Sequence, residues 1–122
     1  MRGFGELEGV VMDDLWNRDG TTTVRDVFEV IRRRREIAYT TVMSTMDSLH
    51  RKGWLERERR GKAFGYWPTL TREEYSARLM RDALDAGGNS GLVLAHLLDQ
   101  MSEQESASLR EALARLTHGG RR

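Results

Sequence analysis

The chain has 122 residues, a net charge of +1 and no cysteine, room for one core or for a small domain with an appendage. Without cysteine, disulfides, thiolate metal sites and thiol redox sensing are excluded. It has neither a signal-peptide core nor an apolar run long enough to span a bilayer, so the expectation is a cytoplasmic protein without membrane contact.

The first helix is expected over about Gly5 to Arg18, where Leu7, Val10, Val11, Leu15 and Trp16 supply a wide apolar face and Asp19-Gly20 stops it. Thr21 and Thr22 read as a short extended link. Thr23 and Asp26 have the spacing of a capping pair, which opens a second helix with Val24, Val27, Phe28 and Ile31 pointing inward. Arg32 to Arg35 are placed at its C-terminal end, where cations suit the helix dipole.

A third helix is predicted from near Tyr39 to Gly53, a residue suited to the left-handed C-cap position. Val42, Met46 and Leu49 recur as a narrow apolar stripe. Thr41, Ser44, Thr45 and Ser48 share another face, which carries small hydroxyls where an exposed helix usually carries Glu and Lys. Short side chains let a helix approach closely, and hydroxyls can donate to phosphate or touch base edges. Arg51 and Lys52 follow. Residues 54–59 and 63–67 then broadly alternate apolar and charged positions about Arg60-Gly61-Lys62, as a two-stranded hairpin requires, and Pro68 ends the second strand. Phe64, Tyr66 and Trp67 read as backing for that hairpin in preference to base-stacking platforms. From Arg32 to Lys62, ten Lys/Arg oppose four Asp/Glu, a local charge of +6, whereas residues 71–122 hold seven Arg against eight acids, or −1. A concentrated positive region beside a near-neutral remainder is the footprint of a module that binds nucleic acid.

Beyond Pro68, Thr71-Arg72-Glu73-Glu74 is a capping box for a helix carrying Tyr75, Leu79, Met80 and Leu84, and Gly87-Gly88 breaks it. Ser90 is the expected cap of a short apolar helix with Leu92, Val93, Leu94, Leu97 and Leu98. Ser102 to Glu105 form a second box, opening a last helix with Leu109, Leu113 and Leu116, and the tail from Thr117 to Arg122 is expected to fray. Three short Leu-rich helices bury too little surface by themselves, so pairing with the same segment of a second chain is expected. His50, His96 and His118 lie far apart without a ligand cluster, so neither metal nor cofactor is expected. Nothing has the spacing of a nucleophile with its base or of a phosphate loop, which makes an enzyme the least favoured class.

Three helices and a basic hairpin make a winged helix. The expected fold class is mainly α: an N-terminal winged helix-turn-helix with a small β-hairpin wing over residues 1–70, and a helical dimerisation region over residues 71–122. Particular residues go further: Leu7-Glu8-Gly9-Val10-Val11-Met12-Asp13-Asp14-Leu15-Trp16, Ala38-Tyr39-Thr40-Thr41-Val42-Met43, Leu49-His50-Arg51-Lys52-Gly53, the wing from Arg60 to Pro68, and Leu92-Val93-Leu94 ahead of the Ser102 box. With these the chain resembles the penicillinase-repressor family of bacterial transcription regulators over nearly its whole length.

The resemblance implies a dimeric, sequence-specific repressor of the antibiotic-response type that binds inverted-repeat operators in double-stranded DNA. By position in the family's motif, Tyr39, Thr40, Thr41, Ser44 and Arg51 would face DNA, with Arg60 and Lys62 on the wing. Thr45 and Ser48 join them as members of the hydroxyl face. Tyr75, Leu79, Leu92, Val93, Leu94, Leu97, Leu98, Leu109 and Leu113 would form the homodimer interface. Copper-responsive members use C-terminal cysteines, which this chain lacks, so copper sensing is not expected. β-Lactam-responsive members are cleaved by a sensor protease at an Asn-Phe bond, and the matching place here is Ala95-His96. Two alternatives stand beside this reading. A ligand-sensing winged-helix regulator of another family needs a pocket of roughly a few hundred cubic ångströms. A winged helix used as a protein–protein module needs neither a basic wing nor a hydroxyl-lined helix.

Overall fold

The computed structural model describes residues 4–119. In chain order they form α1 (Glu6–Trp16), α2 (Val24–Ile31), α3 (Tyr39–Arg51), β1 (Leu55–Arg60), β2 (Ala63–Pro68), α4 (Arg72–Ala86), α5 (Ser90–Asp99) and α6 (Glu103–Gly119). Local chemistry sets most of the boundaries. The Glu8 carboxylate accepts from the Gly5 N–H at 3.1 Å at the start of α1. Thr23 and Asp26 exchange side-chain-to-backbone hydrogen bonds of 3.1 and 3.2 Å, which open α2. Thr71 with Glu74 and Ser102 with Glu105 do the same for α4 and α6. Gly53 has φ +91°, the left-handed conformation that lets the chain leave α3 and enter the hairpin.

Three boundaries differ from expectation. α2 stops at Ile31 with Arg32 as its C-cap, so Arg33 to Arg35 lie in the turn towards α3 and not on the helix. Both Arg34 and Arg35 donate their N–H to the Ile31 carbonyl, and the turn brings Ile37 back against the core. α5 is capped by Asn89, whose side-chain oxygen accepts from Leu92 N–H at 3.0 Å, and Ser90 is its first helical residue. Thr117 to Gly119 remain helical, and Thr117 Oγ1 donates to the Leu113 carbonyl at 3.0 Å. Residues 120–122, also expected to fray, lie outside the described residues.

The chain divides into two compact units, Met1–Leu79 and Met80–Arg122. In the first, Val11, Met12, Leu15, Val27, Ile31, Val42, Met46, Leu49, Leu55 and Tyr66 make one buried core. β1 and β2 pair antiparallel, with Leu55 opposite Pro68, Arg57 opposite Tyr66 and Arg59 opposite Phe64. The extended link after α1 adds a third edge: Thr22 and Tyr66 exchange backbone hydrogen bonds of 2.9 and 2.8 Å. This edge passes so close that a Cβ on Gly65 would lie 3.0 Å from Thr21 Cβ, so any larger residue there requires Thr21 to give way. The wing is thereby anchored to the core along one strand.

Tyr75, expected at a dimer interface, is instead 1% exposed in this first unit. It stacks on Phe4 at 4.6 Å between centroids and meets the Trp16 and Trp54 rings at 5.4 and 5.2 Å. The correction has a simple cause: an aromatic side chain one turn into α4 is used up by the three rings around it. Trp16 Nε1–H donates to the Leu70 carbonyl at 2.9 Å, and Arg72 pairs with Asp13 at 2.7 Å, so the approach to α4 is tied to α1.

Candidate nucleic-acid interface

The apolar stripe Val42, Met46 and Leu49 is buried, so α3 turns its other side outwards. Thr40, Thr41 and Ser44 are exposed, while Thr45 and Ser48 are half-buried at the flank of that face. Ser44 and Thr45 both donate their hydroxyl to the Thr41 carbonyl, at 3.2 and 2.8 Å. The helix's own backbone thus holds the protons, and the oxygens stay available as acceptors until a better acceptor turns the rotor. Ala38 gives α3 no side-chain cap, which leaves the positive end of its dipole uncovered. Tyr39 is half-buried: its ring meets Phe28 edge-on at 5.4 Å, and the Arg25 guanidinium sits 5.0 Å above it. Arg25, on the first turn of α2, therefore stands beside the start of α3, a placement that sequence spacing did not reveal.

The cations near this face fall into two groups. Arg51 Nε donates to Asp47 at 3.0 Å, one helical turn back, and Arg60 pairs with Glu58 at 2.6 Å. Both pairs are exposed, and exposed pairs of this type exchange readily for another anion. Lys62 at the turn makes no ion pair among the described residues. Arg59 is exposed with its guanidinium 5.3 Å from the Phe64 centroid, and it too makes no ion pair there. Arg57 is different. Its side chain is 24% exposed, donates to Asp47 at 3.0 Å and to the Tyr66 hydroxyl at 3.3 Å, and lies 4.1 Å from the Phe64 centroid. These contacts make the guanidinium a fixed part of the wing, and the Tyr66 hydroxyl first and Asp47 after it raise its pKa. Hydrogen bonds from Arg51 and then Arg57 hold the Asp47 carboxyl below its usual range.

The second unit has a surface of another kind. No residue from 80 to 117 is buried. Leu92, Leu94, Leu97, Leu98, Leu109 and Leu113 are all exposed, together with Met80 and Leu116, while Val93 is half-buried. Leu79, at the end of the first unit, is also half-buried. Isolated exposed leucines need no explanation, but a unit with this many and no core of its own does. In the first unit, a cavity of about 530 Å³ is bounded by Leu15, Trp16, Arg18, Pro68, Leu70 and Arg72 among others. Arg18 and Arg72 there pair with Asp14 and Asp13, Glu74 accepts from the Thr71 N–H, and Glu73 also lines the cavity. Among the described residues no group of acids and histidines could hold a metal ion, and no helix is long and apolar enough to cross a membrane.

Known proteins resemble this chain over most of its length. The penicillinase repressor family matches residues 4–115. The transcriptional regulator BlaI of Mycobacterium tuberculosis is 41% identical over 123 aligned positions, covering 97% of this chain and 89% of that protein. An uncharacterised 16.5 kDa protein of Latilactobacillus sakei is 26% identical over 110 positions, covering 87% of this chain and 75% of that one. Among solved structures, FabT of Streptococcus pneumoniae in complex with DNA superposes with a TM-score of 0.50 at 21% identity, covering 95% of this chain and 75% of that one, a likeness of fold alone.

Proposed function

The chain belongs to the penicillinase repressor family, and from that premise we propose that two copies of it together read one inverted-repeat operator. Membership makes it a DNA-binding transcriptional repressor and not an enzyme. In the finer reading, α3 enters the major groove with Tyr39, Thr40, Thr41, Ser44, Thr45, Ser48 and Arg51. Arg60 and Lys62 on the wing, with Arg59 beside them, meet phosphates. The leucines of α5 and α6 pair with those of a second copy, which makes the working form a homodimer in the cytoplasm. One observation carries this reading: an exposed hydroxyl face beside exchangeable cations occupies one unit, and an uncovered leucine surface occupies the other.

The two kinds of DNA recognition separate by experiment. A duplex enriched from a random library by the full-length protein serves as operator, with a random duplex of equal length as control. Arg60→Ala or Lys62→Ala should weaken both alike and reduce the salt slope by about 1 for each phosphate that is no longer neutralised. Thr41→Ala or Ser44→Ala should instead change the preference between them, by on the order of 1 kcal/mol. Equal effects of all four substitutions on both duplexes would contradict the assignment.

One route of release from DNA is a cut that splits the paired leucines. Ala95 and His96 are exposed within α5, and a cut between them by a sensor protease would divide that surface. The mass of the chain recovered from cells treated with a β-lactam tests this. Two fragments are expected, and an intact chain while the target genes are induced would exclude cleavage.

A further inference from the structure

Asp47 is the one acid on α3, the helix that reads DNA in the proposed function. Its carboxylate accepts one hydrogen bond from that helix and one from the wing: Arg51 Nε at 3.0 Å on one oxygen, and Arg57 Nη1 at 3.0 Å on the other. The two arginines differ in what else holds them. Arg57 is clasped by the Phe64 ring and the Tyr66 hydroxyl, and Tyr66 is 3% exposed and hydrogen-bonded to Thr22. The chain Asp47–Arg57–Tyr66–Thr22 therefore runs from the outer side of α3 through β1 and β2 to the link after α1. The Arg51 side chain is 69% exposed, and among the described residues Asp47 alone pairs with it.

We propose that Asp47 is a positioning residue that sets the discrimination between operator and random DNA by fixing the wing against α3, while its competition with phosphate for Arg51 weakens binding to every duplex alike. This rests on the reading of α3 and the wing as the DNA-contacting surface. Two effects of the carboxylate act in different ways on different DNA. Its negative charge on a helix that approaches phosphates opposes every duplex equally, because the phosphate term is independent of sequence. Its tie to Arg57 fixes the spacing between helix and wing before DNA arrives. That preorganisation helps only a site whose bases and phosphates match the fixed spacing. The first effect lowers affinity for both duplexes alike, and the second favours the operator over random DNA. The lowered pKa of the Asp47 carboxyl keeps the charge in place at neutral pH.

The test uses the full-length protein, the duplex it enriches from a random library, and a random duplex of equal length. Asp47→Asn should bind the random duplex about three- to tenfold tighter at low salt, with a salt slope steeper by about 1 as Arg51 becomes available. Its affinity for the enriched duplex should rise less or fall, so the ratio between the two declines. Asp47→Glu, which keeps the charge, should retain the wild-type slope. Placing Asp47→Asn on an Arg51→Gln background should remove the change in slope. Unchanged slope and ratio in Asp47→Asn, with the melting curve showing a folded chain, would overturn the proposal. If the wild-type protein enriches no sequence at all, the failure lies with the reading of the DNA-contacting surface and the proposal falls with it.

Discussion

Glu8 shows how much one side chain can do in a small core. It accepts from the Gly5 N–H at the start of α1 and from Lys52 Nζ at 2.7 Å, just beyond the end of α3, and so ties the first helix to the third. The Lys52 hydrogen bond, and after it the Gly5 N–H, hold its pKa below the ordinary value of 4.5. A carboxyl depressed in the folded state contributes stability that is fully present above 4.5 and lost as pH falls through the lowered folded value. Glu8→Gln should therefore lower the Tm at neutral pH and flatten its fall under acid, as thermal melts across the acid range would show. An equally steep acid fall in wild type and variant would refute this role. Tyr75 is the other residue on which much depends. Its burial pushes the phenol pKa up, so it stays neutral across the working range. Tyr75→Ala would open a cavity among Phe4, Trp16 and Trp54 and should cost about 3 kcal/mol or more of unfolding free energy, measured by denaturant titration.

At the scale of elements, the wing depends on a strand partner from outside the hairpin. Thr21 and Thr22 hold β2 from its outer edge, and Gly65 gives them room. Gly65→Ala must displace Thr21 or bend β2, so it should lower stability by about 1–3 kcal/mol and weaken operator binding more than a matched change such as Ala63→Gly on the exposed end of the same strand. Equal losses of binding at both positions would contradict the anchoring. The elements also show what a sequence can reveal. Thr23, Thr71 and Ser102 each announce a helix start because the capping partner lies three residues away, and Gly53 announces a helix end for a similarly local reason. The periodicity of Val42, Met46 and Leu49 placed the buried side of α3, and so its outer face. Features made by distant residues were not legible. The Thr22–Tyr66 bridge, the Asp47–Arg57 bond and the rings around Tyr75 each join segments whose meeting depends on the finished fold. A run of arginines suits a helix C-terminus and so points past the true end of α2, whereas the return of Ile37 to the core requires a turn there. Asn89 is hidden as a cap in the sequence because Ser90 offers the same chemistry one residue later.

The whole molecule is asymmetric in a way that argues for two copies. Its first unit has a closed core, and its second has leucines but no buried residue among 80–117. Leu92, Leu94, Leu97, Leu98, Leu109 and Leu113 keep 37–62% of their surface exposed, so several of them must pair across a two-fold axis together to offset the cost of association. Leu92 and Leu98 are 62% and 50% exposed, so charges there disturb little within one chain. Leu92→Glu combined with Leu98→Glu should yield a monomer by sedimentation with the first unit still folded, and its operator affinity should fall by ~10²-fold, the gain that tethering two readers supplies. The most direct test of the central claim is the stoichiometry and symmetry of the complex, measured by sedimentation on the duplex enriched from a random library. The account predicts two chains per duplex and a sequence with two inverted half-sites, their centres separated by about 10 base pairs or a multiple of it. One chain bound to a single asymmetric site would contradict it.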